Sequence, residues 1–238
     1  MPDEPDRHLL WRDGYLVVVR PRWATVERVR LGDVERAVED VAAIGTAHGL
    51  DHANWWVGAR STPADLGERL LAAGLEPDPE MPLSKTLTLT HPPAGEPTLE
   101  VRAVTTFEDY LHTREIAGAV WSEDRADRDL RAVWDALEAD GRSRYYLASI
   151  DGEPVGFGYS VFTPRATLML GGAVLPEARG RGAYLAIVHA RWRDSVARGV
   201  PRLLTGAGPM SAPILERLGF EQIGETRPFR QLFVGSGS

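Results

Sequence analysis

Apolar and polar residues in the second half of the chain follow the pattern of a strand, a turn and a helix. Residues 167–174 are mostly apolar and contain two consecutive glycines, which favour a bulge or a close approach of another backbone. Residues 184–198 carry apolar side chains at the period of a helix, and a glycine and a proline follow it. Between them lies the sequence Arg-Gly-Arg-Gly-Ala at 179–183. Because a helix start exposes unpaired N–H groups and the positive end of the helix dipole, this segment predicts an anion-binding site.

The same patterns predict elements on either side of this segment. A hairpin is indicated at Asp151-Gly152, where a turn dipeptide separates two apolar runs. The predicted strands are 99–104, 144–150, 155–161, 167–174 and 202–205, with a last pair ending near 234, and the predicted helices are 107–121, 125–139, 184–198 and 211–218.

The first half of the chain predicts a similar but shorter set of elements. They are a hairpin around Asp13-Gly14, a helix over 31–48, a strand at 55–57, a helix from Thr62 to 73 and a strand over 84–90. Residues 55–76 echo residues 203–221: each run has a strand ending in Gly-Ala, then a proline, Glu-Arg-Leu, and Gly-apolar-Glu. The echo suggests an internal repeat, with chance similarity between short elements as the alternative.

The best candidate for a linker is the segment 91–97, which has three prolines in seven residues. Its position predicts two domains, at 1–94 and 97–234.

Composition narrows the function classes. The chain has 238 residues, enough for a full core, and its net charge of −7 argues against a nucleic-acid or membrane partner. There is no cysteine, which excludes thiolate catalysis and cysteine metal sites. His48 and His52 have no third ligand nearby in the sequence, so no metal is predicted. With no apolar leader and no run of about 20 apolar residues, the prediction is a cytoplasmic protein.

Two motifs carry a resemblance to a known family. The run Val-x-Pro-x-x-Arg-Gly-Arg-Gly at 174–182, followed by a helix, resembles the acyl-CoA pyrophosphate motif of the GNAT superfamily of N-acyltransferases. The helix ending in Leu-Gly-Phe at 218–220 resembles the second signature of that superfamily. The resemblance covers about residues 97–234. It implies an α/β (α+β) fold with a mixed, twisted sheet flanked by helices. With the internal repeat, it predicts two GNAT-like halves in tandem, the first of them degenerate because it lacks a counterpart of Arg179 to Gly182.

The resemblance also implies a site. Acetyl-CoA, as cosubstrate without a metal, lies where the strand ending at Val174 parts from the strand at 202–205, and the backbone N–H of Val174 polarises the thioester carbonyl. The phosphates meet backbone amides and Arg179 and Arg181, for which a solvated helix face is the alternative reading. The residues implied to bind the cosubstrate are Ala173, Val174, Leu175, Arg179, Gly180, Arg181, Gly182, Ala183, Tyr184 and Leu185.

The sequence departs from the family at the catalytic positions. The usual tyrosine acid is replaced by Leu215, a usual asparagine by Gly208, and the last glycine of the first motif by Tyr184. Candidate proton donors are Tyr184, Tyr159 and solvent. Glu123 is the first candidate for the base, with a water relay as the alternative; further candidates are Asp124, His112 and Glu115.

Three hypotheses follow from these residues. The first is an N-acyltransferase that moves the acetyl group of acetyl-CoA to a small-molecule amine by direct attack. The second, motivated by Leu215, is a non-catalytic acyl-CoA sensor or partner-binding module. The third is a different nucleotide-binding α/β protein. The acceptor stays open, as does the choice between a monomer and a homodimer.

Overall fold

The computed structural model describes residues 8–81, 83–121 and 129–233. By their contacts, these residues form two compact units. The C-terminal unit comprises 86–223, and the N-terminal unit comprises the residues up to 85 together with those from 224 onward. The chain therefore passes between the units at two places, whereas the sequence places a single boundary in the segment 91–97.

The N-terminal unit is built on a sheet with the strand order β1-β2-β3-β4-β12. Strands β3 and β4 are parallel and the other neighbours are antiparallel. Its elements are β1 (His8–Arg12), β2 (Tyr15–Val19), β3 (Trp23–Glu27), α1 (Val34–Ala47), β4 (His52–Gly58), α2 (Leu66–Ala72), β5 (Glu76–Pro77) and β12 (Glu221–Leu232), of which residues 224–232 belong to this unit. Apolar residues of α1 and α2 pack against Val17, Trp55 and Phe229 in its core.

The C-terminal unit has the strand order β6-β11-β10-β9-β8-β7. Its elements are β6 (Ser84–Leu89, from 86 onward), β7 (Val101–Ala103), α3 (Phe107–Trp121), α4 (Leu130–Asp140), β8 (Ser143–Ile150), β9 (Glu153–Phe162), β10 (Thr167–Val174), α5 (Ala183–Ala197), β11 (Leu203–Ala207) and α6 (Ala212–Arg217). Strands β10 and β11 are parallel, and β7 to β10 are antiparallel neighbours.

Helices cover both faces of the C-terminal sheet. On β8, Leu147 packs in the cluster formed with α3 and α4, whereas the next residue, Ala148, packs against Ala183 and Ile187 of α5. Because successive residues of a strand face opposite sides, the two clusters lie on opposite faces. The predicted mixed sheet flanked by helices is thereby confirmed.

The two units repeat one order of elements. The series β1-β2-β3-α1-β4-α2 matches β8-β9-β10-α5-β11-α6, and in both the third strand is parallel to the fourth. Both hairpins turn at Asp-Gly, with φ of 84° at Gly14 and 87° at Gly152. After α2 and the two-residue strand β5, the chain forms β6, which lies beside β11, whereas the strand after α6 is β12, which pairs with β4. Each sheet is thus completed by a strand that follows the last helix of the other series.

Candidate functional site

The C-terminal sheet opens between β10 and β11. These strands pair only at Thr167 with Leu203 and at Leu168 with Leu204. The register of β10 with β9 then shifts between Met169 and Gly171, which marks the bulge that the paired glycines favour. The hydroxyl of Thr205 donates to the carbonyl of Met169 at 2.9 Å. Beyond this link the described strands have no ladder pairs, so their carboxyl ends part.

A cavity of about 440 Å³ lies at this opening. It is lined by strand, loop and helix residues of the C-terminal unit: Val120, Trp121, Gly172, Ala173, Val174, Ala178, Arg179, Gly180, Gly182, Ala183, Tyr184, Leu185, Met210, Ser211, Ile214 and Arg217. Most of the predicted cosubstrate residues line it. Of those predicted, Leu175 and Arg181 are not among the lining residues.

Two glycines shape the turn into α5. The backbone φ is 76° at Gly180 and 89° at Gly182, in the left-handed region that glycine adopts without strain. Gly182 is the N-cap of α5, and its carbonyl accepts the first helical hydrogen bond from the amide of Ala186 at 3.0 Å. A side chain at either position would strain this turn.

Six consecutive backbone amides at the start of α5 are unpaired within the described part of the chain. They belong to Gly180, Arg181, Gly182, Ala183, Tyr184 and Leu185, none of which donates to a carbonyl or side chain among the described residues. Together with the positive end of the dipole of a 15-residue helix, they form a concentrated set of hydrogen-bond donors for an anion. Arg179 and Arg181 are both exposed beside them.

The backbone of β10 determines which groups face the opening. The amide of Leu175 donates to the carbonyl of Val155 at 2.9 Å, and the carbonyl of Leu175 accepts from the amide of Ala178 at 2.9 Å. Hydrogen-bonded and non-hydrogen-bonded pairs alternate along an antiparallel ladder, so the next pair, Val174 with Gly156, is not hydrogen-bonded. The N–H of Val174 therefore points away from β9, toward the side from which β11 has parted.

The candidate acid and base differ in how they are placed. Tyr184 lines the cavity, and burial raises the pKa of its phenol, an effect that the charge of Arg191 partly opposes. Tyr159 lies within hydrogen-bond distance of Ser143, at 3.1 Å between the hydroxyls. His112 and Glu115 contact each other on α3. Glu123 and Asp124 lie outside the described residues.

Leu215, which replaces the usual acid, is 1 % exposed. It packs in the core cluster with Leu203 and Phe220, and it is not among the residues that line the cavity. Trp121, Met210 and Ile214 line the cavity but were not predicted from the sequence. Their only signal is exposure of large apolar side chains, which becomes visible only after folding.

In the described part of the N-terminal unit, the two strands equivalent to β10 and β11 do not part. Strands β3 and β4 stay paired from Trp23 with His52 to Val26 with Trp55, and the chain forms a further bridge between Arg30 and Thr62. The side chain of Asp33 caps α1 by accepting from the amide of Arg36 at 3.0 Å. A carboxylate thus occupies the helix start that a bound anion needs.

The sheet opens between two parallel strands next to a helix whose first amides are unpaired among the described residues, which is the arrangement that the resemblance to the GNAT superfamily predicts. Residues 98–211 match the family described as Acetyltransferase (GNAT) domain. Within these residues the predicted resemblance to the GNAT acetyltransferase family is confirmed.

Solved structures share this fold over nearly the whole chain. A GCN5-related N-acetyltransferase from Kribbella flavida has 16% identity and a TM-score of 0.70, covering 95% of this chain and 90% of that one. A tandem GNAT protein from the clavulanic acid biosynthesis pathway has 16% identity and a TM-score of 0.69, covering 99% and 85%. A GCN5-related N-acetyltransferase from Sphaerobacter thermophilus has 16% identity and a TM-score of 0.65, covering 92% and 80%. No curated protein matches the chain. The fold is that of tandem GNAT proteins, as predicted.

Two kinds of feature are missing from the described residues. No cluster of three or more histidine or acidic residues is arranged to hold a metal ion within 8–81, 83–121 and 129–233. No helix in the described part of the chain has the length and apolar character that a membrane crossing requires.

Proposed function

We propose that the protein is an N-acyltransferase that moves the acetyl group of acetyl-CoA to an amine. The observation that carries the proposal is the run of unpaired amides from Gly180 to Leu185 at the start of α5, beside the cavity between β10 and β11. The GNAT acetyltransferase domain over 98–211 supports the reaction class.

The amides at the start of α5 bind the pyrophosphate of the cosubstrate. Backbone N–H groups and the helix dipole favour the diphosphate at short range, and the guanidinium groups of Arg179 and Arg181 add charge that pairs with phosphate oxygens. The pantetheine arm then runs along the open edge of β10 near Ala173, Val174 and Leu175, where Val174 offers the backbone N–H that points away from β9.

The N–H of Val174 donates a hydrogen bond to the thioester oxygen and so stabilises the negative charge that develops on it. The amine nitrogen bonds to the carbonyl carbon while the carbon–sulfur bond breaks, a base takes the amine proton, and the sulfur leaves as a thiolate. The base is Glu123, which comes two residues after the cavity-lining Trp121 in the sequence. Tyr184 gives the thiolate its proton, because burial keeps the phenol protonated.

Isothermal titration calorimetry tests the binding step. Wild-type protein should bind acetyl-CoA and CoA, and Arg179→Ala should weaken both. Gly182→Asp should abolish binding, because it adds a side chain at φ of 89° and a negative charge among the amides. Arg165→Ala, which removes an exposed arginine outside the cavity, is the control. If wild-type protein ignores acetyl-CoA and CoA at millimolar concentration, the proposal is wrong.

A second function is favoured by the burial of Leu215. With no hydroxyl at that position, the protein fits a non-catalytic acyl-CoA sensor or partner-binding module. Measuring thiol release from acetyl-CoA across a panel of amines separates the two functions. Steady release with any amine excludes the sensor, and tight binding with no release across the panel favours it.

A further inference from the structure

Arg191 of α5 is a buried cation with no ionic partner among the described residues. Its side chain is 1 % exposed, and no ion pair in the described part of the chain includes it. Burial lowers the pKa of its guanidinium. Its Nε has no hydrogen-bond partner among the described residues. An unpaired buried charge is costly, so its presence calls for a compensating role.

The contacts of Arg191 lie at the bulge in β10. Its Nη2 donates to the carbonyl of Tyr159 at 3.1 Å and also to the carbonyl of Gly171. Gly171 is the first residue of β10 after the register shift, and Tyr159 is its partner on β9. One guanidinium nitrogen therefore links β9 and β10 at the point where their shared register shifts.

The sequence makes room for this contact with two glycines that face each other in the ladder. Gly158 and Gly172 are register partners on β9 and β10. A Cβ at Gly158 would lie 2.7 Å from Nη2 of Arg191, and a Cβ at Gly172 would lie 3.3 Å from it. Gly172 also lines the cavity. The guanidinium thus fills the space of two missing side chains directly behind the cavity wall.

We infer that Arg191 is a positioning residue for the proposed acyl transfer: by holding the bulge at Gly171, it directs the N–H of Val174 into the opening. The inference rests on the proposed function. A bulge changes the register by one residue, and each such step reverses which backbone groups and side chains face each side. The orientation of Val174, three residues beyond the clamped carbonyl, therefore depends on the bulge staying where Arg191 fixes it.

The pyrophosphate amides at 180–185 are separate from this contact, so the two functions of the site respond differently to mutation. Arg191→Met keeps an unbranched apolar stem and removes the donors. We expect its CoA affinity to stay within about three-fold of wild type, and turnover with the best amine of the panel to fall about 100-fold, as for loss of an oxyanion donor. Arg191→Lys, which keeps a charged donor, should recover part of the turnover. Arg193→Met, on the exposed side of the same helix, is the matched control.

The decisive readout is the carbonyl stretching frequency of bound acetyl-CoA, measured by isotope-edited infrared spectroscopy. A hydrogen bond from Val174 lowers this frequency in wild-type protein and in Arg193→Met, and we expect the shift to be lost in Arg191→Met. If Arg191 has a merely structural role, Arg191→Met lowers the melting temperature, but the carbonyl frequency in its folded fraction equals that of wild type. That result would overturn the inference. If Arg191→Met does not fold, Gly172→Ala decides in the same way, because its Cβ displaces the guanidinium by a few tenths of an ångström. If wild-type protein binds no acetyl-CoA, the proposed function fails instead.

Discussion

Leu215 shows that a change in chemistry can also be a change in packing. The resemblance expects a tyrosine acid at this position, but the leucine is 1 % exposed and contributes to the core with Leu203 and Phe220. Restoring the family residue would therefore place a larger, polar side chain in a filled core.

We expect Leu215→Tyr to lower the free energy of unfolding by about 1–3 kcal/mol, because overpacking forces neighbouring side chains from their rotamers. It should not raise kcat. Urea denaturation and steady-state kinetics measure the two effects, and Leu215→Met, a change that conserves volume, is the control. A gain in kcat at unchanged stability would show that the site has kept room for the acid.

Tyr184, which lines the cavity, is the residue that we propose as the proton donor to the leaving thiolate. Burial raises the pKa of its phenol, so the group stays protonated through the neutral and mildly alkaline range. We expect Tyr184→Phe to lower kcat about ten-fold, a modest effect because a thiolate with a pKa near that of cysteine leaves with little help. The loss should be uniform from about pH 7 to about pH 9, since the phenol does not ionise there. An equal kcat in both proteins would assign the proton to solvent.

At the scale of elements, α5 and α1 are equivalent helices with opposite starts. The first amides of α5 after Gly182 are unpaired among the described residues, whereas the carboxylate of Asp33 accepts a hydrogen bond from the amide of Arg36 at the start of α1. The strand before α5 parts from its neighbour, and the strand before α1 stays paired. The same order of elements thus has an uncapped helix start in one unit and a capped helix start in the other.

Asp33→Ala tests this difference. We expect it to lower the free energy of unfolding by about 1 kcal/mol, the usual loss for an N-cap. CoA affinity should not change, because the unpaired amides belong to the other unit. Urea denaturation and calorimetry check both statements. A weaker affinity for CoA in a stably folded variant would contradict the assignment of the site to α5.

Local patterns predicted the elements that carry the site, and non-local pairing decided the rest. The predicted strand 167–174 is β10 as observed, and the predicted helix from 184 is α5 within a residue at its start. Apolar periodicity and the conformational preference of glycine depend on neighbours in sequence, so β10 and α5 could be predicted. The amide of Leu175 donates to β9, and the guanidinium of Arg191 contacts β9 as well. No local pattern in the sequence specifies these contacts with a distant strand. The predicted last pair of strands is wrong, because residues 221–232 form one strand along β4.

At the scale of the whole molecule, the chain returns at its end to complete its first sheet. Strand β12 pairs with β4 from Thr226 with Gly58 to Leu232 with His52. The indole of Trp55 donates to the side-chain oxygen of Gln231 at 2.8 Å in the core. The repeat in the sequence indicated two halves, but it could not show this exchange, because each local signal is the same whichever sheet the strand joins.

The two predicted domains should therefore not fold as separate fragments. A fragment of residues 1–94 lacks β12, which leaves β4 with unpaired backbone groups and removes Phe229 from the core. It also leaves Asp78, whose carboxylate pairs with Arg230 at 2.9 Å, buried without its partner. We expect this fragment to give a narrow amide NMR spectrum and no cooperative urea transition. Joining residues 224–238 to it through a flexible linker should restore both, since that segment supplies the missing strand. A cooperative transition in the fragment without the added strand would show that the first half folds without β12.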